Sequence, residues 1–224
     1  MSIVAASTRR YKAAAGVDAA TRHTLSFWAK TSGQGAAGDA TLSNVGTDDF
    51  AQFYIDSGQL AVYGAGGGQA GAASFSGMDF YTILWPVVGG EVTPELYLNA
   101  SSVPINGSPF PWPVTADPGS PLWFLSTPGG EQPPDGWEMA NVILNAGILT
   151  VPQIIAQMAS EAPVVAAAGW WKCRTNLLNS IGGGPSIVMD AGAAGFGDFD
   201  PFPPAPPSLG SPSSRVGVGI GVRI

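Results

Sequence analysis

Residues 137–160, WEMANVILNAGILTVPQIIAQMAS, limit the fold more than any other stretch, because they hold the one convincing helical pattern in the chain. Trp137, Met139, Val142, Ile143 and Leu144 read as an apolar strand of the half-buried to buried kind. Asn145-Ala146-Gly147 tolerates φ > 0 and lets the chain turn. Thr150 with Gln153 three residues later forms a capping box, and Pro152 falls in the first turn, where its missing N–H costs nothing. Ile154, Ile155 and Met158 then make an apolar stripe of about two turns, and Pro163 stops any continuation. One short amphipathic helix after a late strand, in a chain otherwise written in strands, must pack on the outside of a sheet. The expectation is an all-β protein with one helix.

The rest of the chain has the matching texture. Thr24–Lys30 alternates, with Leu25, Phe27 and Ala29 on one face and Trp28 on the other. Further strands are expected at Ala40–Val45, Phe50–Ile55, Leu60–Tyr63, Phe80–Val88, Glu95–Asn99 and Leu122–Ser126. Asp56-Ser57-Gly58 joins two of them as a hairpin turn, and Pro86 marks an edge or a bulge. Residues 1–12 read as a short extended arm, an edge strand at most. The 31 glycines and 20 prolines fall between these runs, as turns between strands require. Strands spaced roughly 8–12 residues apart indicate a sandwich or jelly roll.

At this point the chain resembles a known family. TLSFWAKTSG, FYIDSGQLAVYG, a strand ending in LYLN and the strand–turn–helix with LTVPQIIAQM follow the order of laminin-G-like, concanavalin A-like jelly-roll domains. Phe27-Trp28, Leu96–Asn99 and Leu149–Ile154 look like that family's markers, and the likeness covers about residues 20–160. It implies a jelly-roll sandwich of two antiparallel sheets with one short helix. Family members often carry acidic residues in the strand before the helix, where this chain has Ala140-Asn141. The domain reading is a jelly roll over residues 1–160, with 1–20 as an N-terminal arm, followed by a C-terminal extension over 161–224. Within the extension, Val164–Trp171 and Ser186–Met189 are candidate strands.

Residues 200–212 form a proline-rich spacer, extended enough to bridge roughly 40 Å. Beyond it, residues 214–224 alternate: Val216, Val218, Ile220, Val222 and Ile224 face one way and glycines the other. A two-faced segment of this kind needs a sheet to join. That sheet belongs either to a neighbouring subunit, by strand addition, or to the same sandwich beside the N-terminal arm.

Charge and chemistry narrow the function. Only 11% of residues are charged, against roughly 25% in ordinary soluble domains, and the net charge is −7. There is no basic cluster, so nucleic acid is not an expected partner. No apolar run reaches the ~18 residues of a membrane span, and the start lacks the pattern of a secretory leader. Cys173 is the single cysteine and His23 the single histidine. The usual zinc sites and a Ser-His-Asp triad therefore find little support. Gly66, Gly68 and Gly71 match G-x-G-x-x-G, but no helix start follows, so a loop is the better reading. The glutamates are scattered, and Asp198 and Asp200 alternate within a Gly/Pro loop, unlike the paired acids of glycosidases. Asp48 and Asp49, with Asn44 and Asp56, form the one candidate Ca²⁺ site; otherwise no metal or cofactor is expected. Trp112, Trp85 and Trp123 are the candidate glycan or partner contacts, with Trp170 and Trp171 in reserve. Asn99 and Asn106 open glycosylation sequons but have no secretion signal to go with them.

These features favour a non-catalytic surface protein of a larger assembly, concretely a phage virion decoration or fibre-associated protein. It would be made in the host cytoplasm and carried on the virion surface. Its partners would be its own copies, as a homo-oligomer, and other virion or surface proteins, through Val216, Val218, Ile220 and Val222. Domains resembling this family occur in phage virion proteins and in secreted adhesins. The alternative is accordingly a carbohydrate-binding adhesion module, extracellular or on a bacterial cell surface.

Overall fold

The computed structural model describes residues 2–6, 8–14, 24–31, 40–44, 51–56, 58–64, 67–108, 110–111, 122–125, 135–173, 177–181 and 185–202. The Pro-rich spacer beyond residue 202, the alternating segment 214–224, Asp48, Asp49, Trp112, His23 and Gly66 lie outside these.

In chain order the strands are β1 (Ser2–Val4), β2 (Arg10–Ala13), β3 (Thr24–Lys30), β4 (Ala40–Asn44), β5 (Ala51–Asp56), β6 (Gln59–Gly64), β7 (Gly67–Ala72), β8 (Met78–Leu84), β9 (Val87–Val88) and β10 (Glu91–Val92). They continue as β11 (Glu95–Leu98), β12 (Ser101–Val103), β13 (Asn106–Gly107), β14 (Phe110–Pro111), β15 (Leu122–Phe124) and β16 (Glu138–Asn145). The helix α1 (Val151–Met158) follows, and then β17 (Ala167–Trp171), β18 (Ile187–Ala191) and β19 (Phe196–Gly197). One sheet runs β12-β11-β8-β3-β16-β1-β19, with β17 also on β16; the other runs β13-β7-β6-β5-β4-β15-β2-β18. Every pairing is antiparallel, and a small sheet β14-β10-β9 stands apart.

The core lies between the two large sheets. Leu25, Phe27 and Ala29 of β3 face it as the alternation requires, together with Tyr81 and Ile83 of β8 and Phe53, Ile55, Leu60 and Val62 of the second sheet. Phe27 stacks on Tyr81 with ring centroids 5.1 Å apart, and Phe53 meets Phe27 edge-on at 5.6 Å. Ile55 pairs with Leu60 and Asp56 with Gln59 across the expected hairpin, whose Gly58 has φ +84.

β16 is buried along its whole length. Its apolar residues change parity, Met139 facing the core and then Val142 and Leu144. A bulge between Ala140 and Ile143 produces the change. Asn141 sits there at φ +50, donates its N–H to the Lys172 carbonyl (3.1 Å) and accepts from the Trp170 indole (2.8 Å). Asparagine tolerates this left-handed conformation better than most residues.

The helix packs on the outer face of the first sheet, as expected. Leu149 and Ile154 close over Phe80 and Leu84, with Trp28, Tyr97 and Met158 around them. Ile155 departs from the expected stripe and is 51% exposed, while Gln157 is buried. A helix this short meets the sheet along one narrow line, and Ile155 stands about 100° round from Ile154.

Two other expectations change. Residues 2–13 are no edge arm: β1 lies between β16 and β19, β2 between β15 and β18, and Ile3 and Tyr11 are fully buried. Pro86 marks neither an edge nor a bulge in β8, which runs between β3 and β11; the strand ends at Leu84 and the chain turns off into the small sheet. β17, β18 and β19 take places in the same two large sheets as the strands before residue 160.

Candidate functional site

The outer face of β3 carries Trp28 and Lys30, two residues apart and so on the same side of the strand. Register brings Met78 of β8 and Glu138 of β16 beside Lys30, and Phe80 and Ala140 beside Trp28. After β19 the chain crosses this face as a short strap, residues 198–202. Trp28, Lys30 and Met78 on one side and Asp198, Phe199, Asp200 and Pro201 on the other line a cleft of about 450 Å³. That volume is in the range of small-molecule sites.

The strap is tied down by one carboxylate. Glu138 accepts from the Lys30 ammonium at 2.8 Å on Oε1, and on Oε2 from the Phe199 N–H (3.1 Å) and the Ser2 hydroxyl. Gly197 allows this approach, since a Cβ there would collide with the Glu138 carboxylate. Burial works to raise the Glu138 carboxyl, but the bonds from Lys30, Ser2 and Phe199 outweigh it and hold the group below its ordinary 4.5. The same hydrogen bond and charge raise the Lys30 ammonium above its ordinary 10.5. At the other end of the strap, the Phe202 N–H donates to Asp200 (3.0 Å), and the Phe202 ring stands edge-on to Trp28 at 6.2 Å. Asp198 extends outward, its side chain 98% exposed and its Oδ1 3.7 Å from Lys30 Nζ.

The cleft thus combines a half-buried indole, a thioether, an ammonium already bonded to one carboxylate, and further carboxylates at its rim. Carboxylates accept only and the ammonium donates only. A ligand rich in hydroxyls, which do both, with one apolar face for the indole, matches this set.

Trp85 and Trp123, two of the three aromatic residues expected to meet a ligand, do not line this cleft. Trp85 is 7% exposed and belongs to the sandwich core. Trp123 is 5% exposed, with Lys12 Nζ 5.2 Å from its ring. Trp170 lies under Lys172 Nζ at 4.7 Å, and Trp171 is in the core with its indole bonded to the Pro185 carbonyl. Trp112 and Val216, Val218, Ile220 and Val222 lie outside the described residues, as do Asp48 and Asp49. No group of three or more His, Cys, Asp or Glu that could hold a metal occurs among the described residues. No described helix is long and apolar enough to cross a membrane.

Other motifs resolve into structure. Gly68 and Gly71 lie within β7, between strands. The Cys173 thiol is fully buried and pushed up to about 12, which suits packing and not nucleophilic attack. The Asn99 amide is engaged on both atoms, accepting from the Phe80 N–H (2.8 Å) and donating to Asp79 (2.7 Å).

Sequence reasoning missed Lys30, Met78 and Phe199. The outward pair Trp28 and Lys30 was visible as alternation in TLSFWAK, but its neighbours across the sheet were not. Asp198 and Asp200 stood out as alternating acids; the strap that carries them to the cleft did not.

No protein-family model matches the chain, and no curated protein matches it. Among solved structures it is similar to a putative carbohydrate binding protein from Bacteroides ovatus, at 10% identity and a TM-score of 0.57, over 89% of this chain and 61% of that one. The native heptameric SAP-like pentraxin from Limulus polyphemus is similar at 14% identity and a TM-score of 0.55, over 85% of this chain and 90% of that one. The CBM40 of the Ruminococcus gnavus IT-sialidase gives a looser likeness, 15% identity and a TM-score of 0.48 over 65% of this chain and 92% of that one. The class of protein is therefore an all-β, concanavalin A-like jelly-roll sandwich with one short helix.

Proposed function

We propose that the protein is a non-catalytic carbohydrate-binding jelly roll whose ligand sits between β3 and the strap at 198–202. The observation that carries this reading is the cleft itself: Trp28 and Met78 offer apolar surface beside Lys30 and Asp198. The Bacteroides ovatus protein, described as a putative carbohydrate binding protein, has the same fold and supports the reading from outside the chain. Such a role belongs outside the cell or on a surface, where glycans are met.

A glycan array probed with the protein, with Trp28→Ala and with Met78→Arg tests it. Met78 is 57% exposed, so the arginine fills the cleft without disturbing the core. Both variants are expected to lose at least about tenfold in affinity for any glycan bound, a difference near 1.4 kcal/mol. No reducing sugar should be released on long incubation. Binding that ignores both substitutions rejects the cleft as the site.

A second reading, subunit of a larger assembly such as a virion surface, rests on a different observation. Ile148, Val151 and Ile155 present exposed apolar surface around the helix, at 43%, 43% and 51% exposure. Light scattering over a range of concentrations decides it: a stable oligomer that Ile155→Glu dissociates favours assembly, and a monomer at every concentration rejects it.

A further inference from the structure

Resting on the carbohydrate-binding reading, we infer that the cleft takes an uncharged sugar and turns acidic sugars away. Among the described residues that line it, the charged groups are one ammonium, Lys30, against two carboxylates, Asp198 and Asp200, with the buried Glu138 behind the ammonium. The ammonium is already committed, 2.8 Å from Glu138 and 3.7 Å from Asp198. It is therefore no vacant counter-ion for a sialic or uronic acid. A carboxylate brought into the cleft must displace one of these partners or sit against Asp198, whose side chain is 98% exposed at the mouth. Like charges at such range disfavour one another, and a site open to water weakens the penalty without reversing it. The net charge of −7 over the whole chain acts in the same direction at longer range.

The same groups fit an uncharged sugar. Asp198 can accept two neighbouring hydroxyls, the half-exposed Lys30 can donate to a ring or hydroxyl oxygen, and Trp28 and Met78 meet the C–H face. Selection follows from a cleft in which acceptors outnumber donors.

The test is a titration of the full chain with neutral oligosaccharides and with the same oligosaccharides capped by a sialic or uronic acid, at low and at high salt. Asp198→Asn and Asp198→Lys are run alongside, with thermal melts to show that these exposed substitutions leave the fold intact. The neutral forms should bind at least about tenfold more tightly than the capped forms. High salt and Asp198→Asn should narrow that ratio, and Asp198→Lys should reverse it while weakening neutral binding. Capped forms that bind as tightly as neutral ones, in a manner abolished by Met78→Arg, overturn the inference and leave the carbohydrate reading standing. An absence of binding to every sugar, or binding untouched by Met78→Arg, overturns that reading and this inference with it.

Discussion

Glu138 is the residue on which the cleft depends. It is 6% exposed, yet its carboxylate is fully engaged by a lysine, a serine and a backbone N–H from three separate parts of the chain. A carboxylate held below its ordinary value stabilises the fold above that value and ceases to do so as pH falls through the depressed one. A lysine held above its ordinary value stabilises below it and ceases to do so as pH rises through the raised one. The Lys30–Glu138 pair should therefore support the strap through the neutral range, from about pH 4.5 to about 10.5. Glu138→Gln, which removes the charge but little of the shape, is expected to lower unfolding stability by about 1–3 kcal/mol at pH 7. Urea titrations should show the gap between the two proteins closing as pH drops below 4.5. A gap that persists unchanged in acid would mean that the carboxylate charge is not what holds the strap.

The helix shows how local chemistry and tertiary placement divide the work. Its start is written in the sequence: the Thr150 N–H donates to Gln153 Oε1 at 2.8 Å, and Pro152 sits in the first turn. What fastens it to the sheet comes from far away. The Thr24 hydroxyl donates to the Gly147 carbonyl (2.7 Å) and accepts from the Leu149 N–H (3.1 Å), fixing the turn before the helix. At the other end, the buried Gln157 amide donates to the Ser160 and Ala162 carbonyls, each at 3.1 Å, and accepts from the Val164 N–H at 2.9 Å. It organises the return of the chain towards β17. Gln157→Ala takes this partner from the Ser160 carbonyl and the Val164 N–H, while the Ala162 carbonyl keeps the Ser160 hydroxyl (2.8 Å), and a loss of about 1–3 kcal/mol is expected. In a chain of this size that is a fall of several degrees in Tm, read by calorimetry. An unchanged Tm would mean that water replaces the side chain without cost. Composition hid this role, because an amide on a short helix ordinarily faces solvent.

At the scale of the molecule, strands from both ends of the chain complete the sheets. β2 and β18 adjoin at one side of the second sheet, β1 and β19 at one side of the first, and Trp171, Cys173 and Ile187 are at most 3% exposed in the shared core. A chain ended at residue 160, where sequence reading closes the jelly roll, is thus expected to lose its cooperative unfolding transition. Near-ultraviolet circular dichroism on melting measures this, and a sharp transition in the shortened chain would show that residues 1–160 fold alone. What acts over a few residues is written in the amino-acid order: the period of each strand, the faces of β3, the glycine turn at residue 58, the helix cap. These follow from steric and hydrogen-bonding rules local to the backbone. Which strands are neighbours, that the Asn141 bulge reverses the faces of β16, and that residues 198–202 cross β3 emerge with the folded sheets alone. Cross-strand register joins residues far apart in the chain, and a shift of one residue would turn every side chain to the opposite face. The cleft is built from such joins, so its parts were legible in the sequence and their meeting was not.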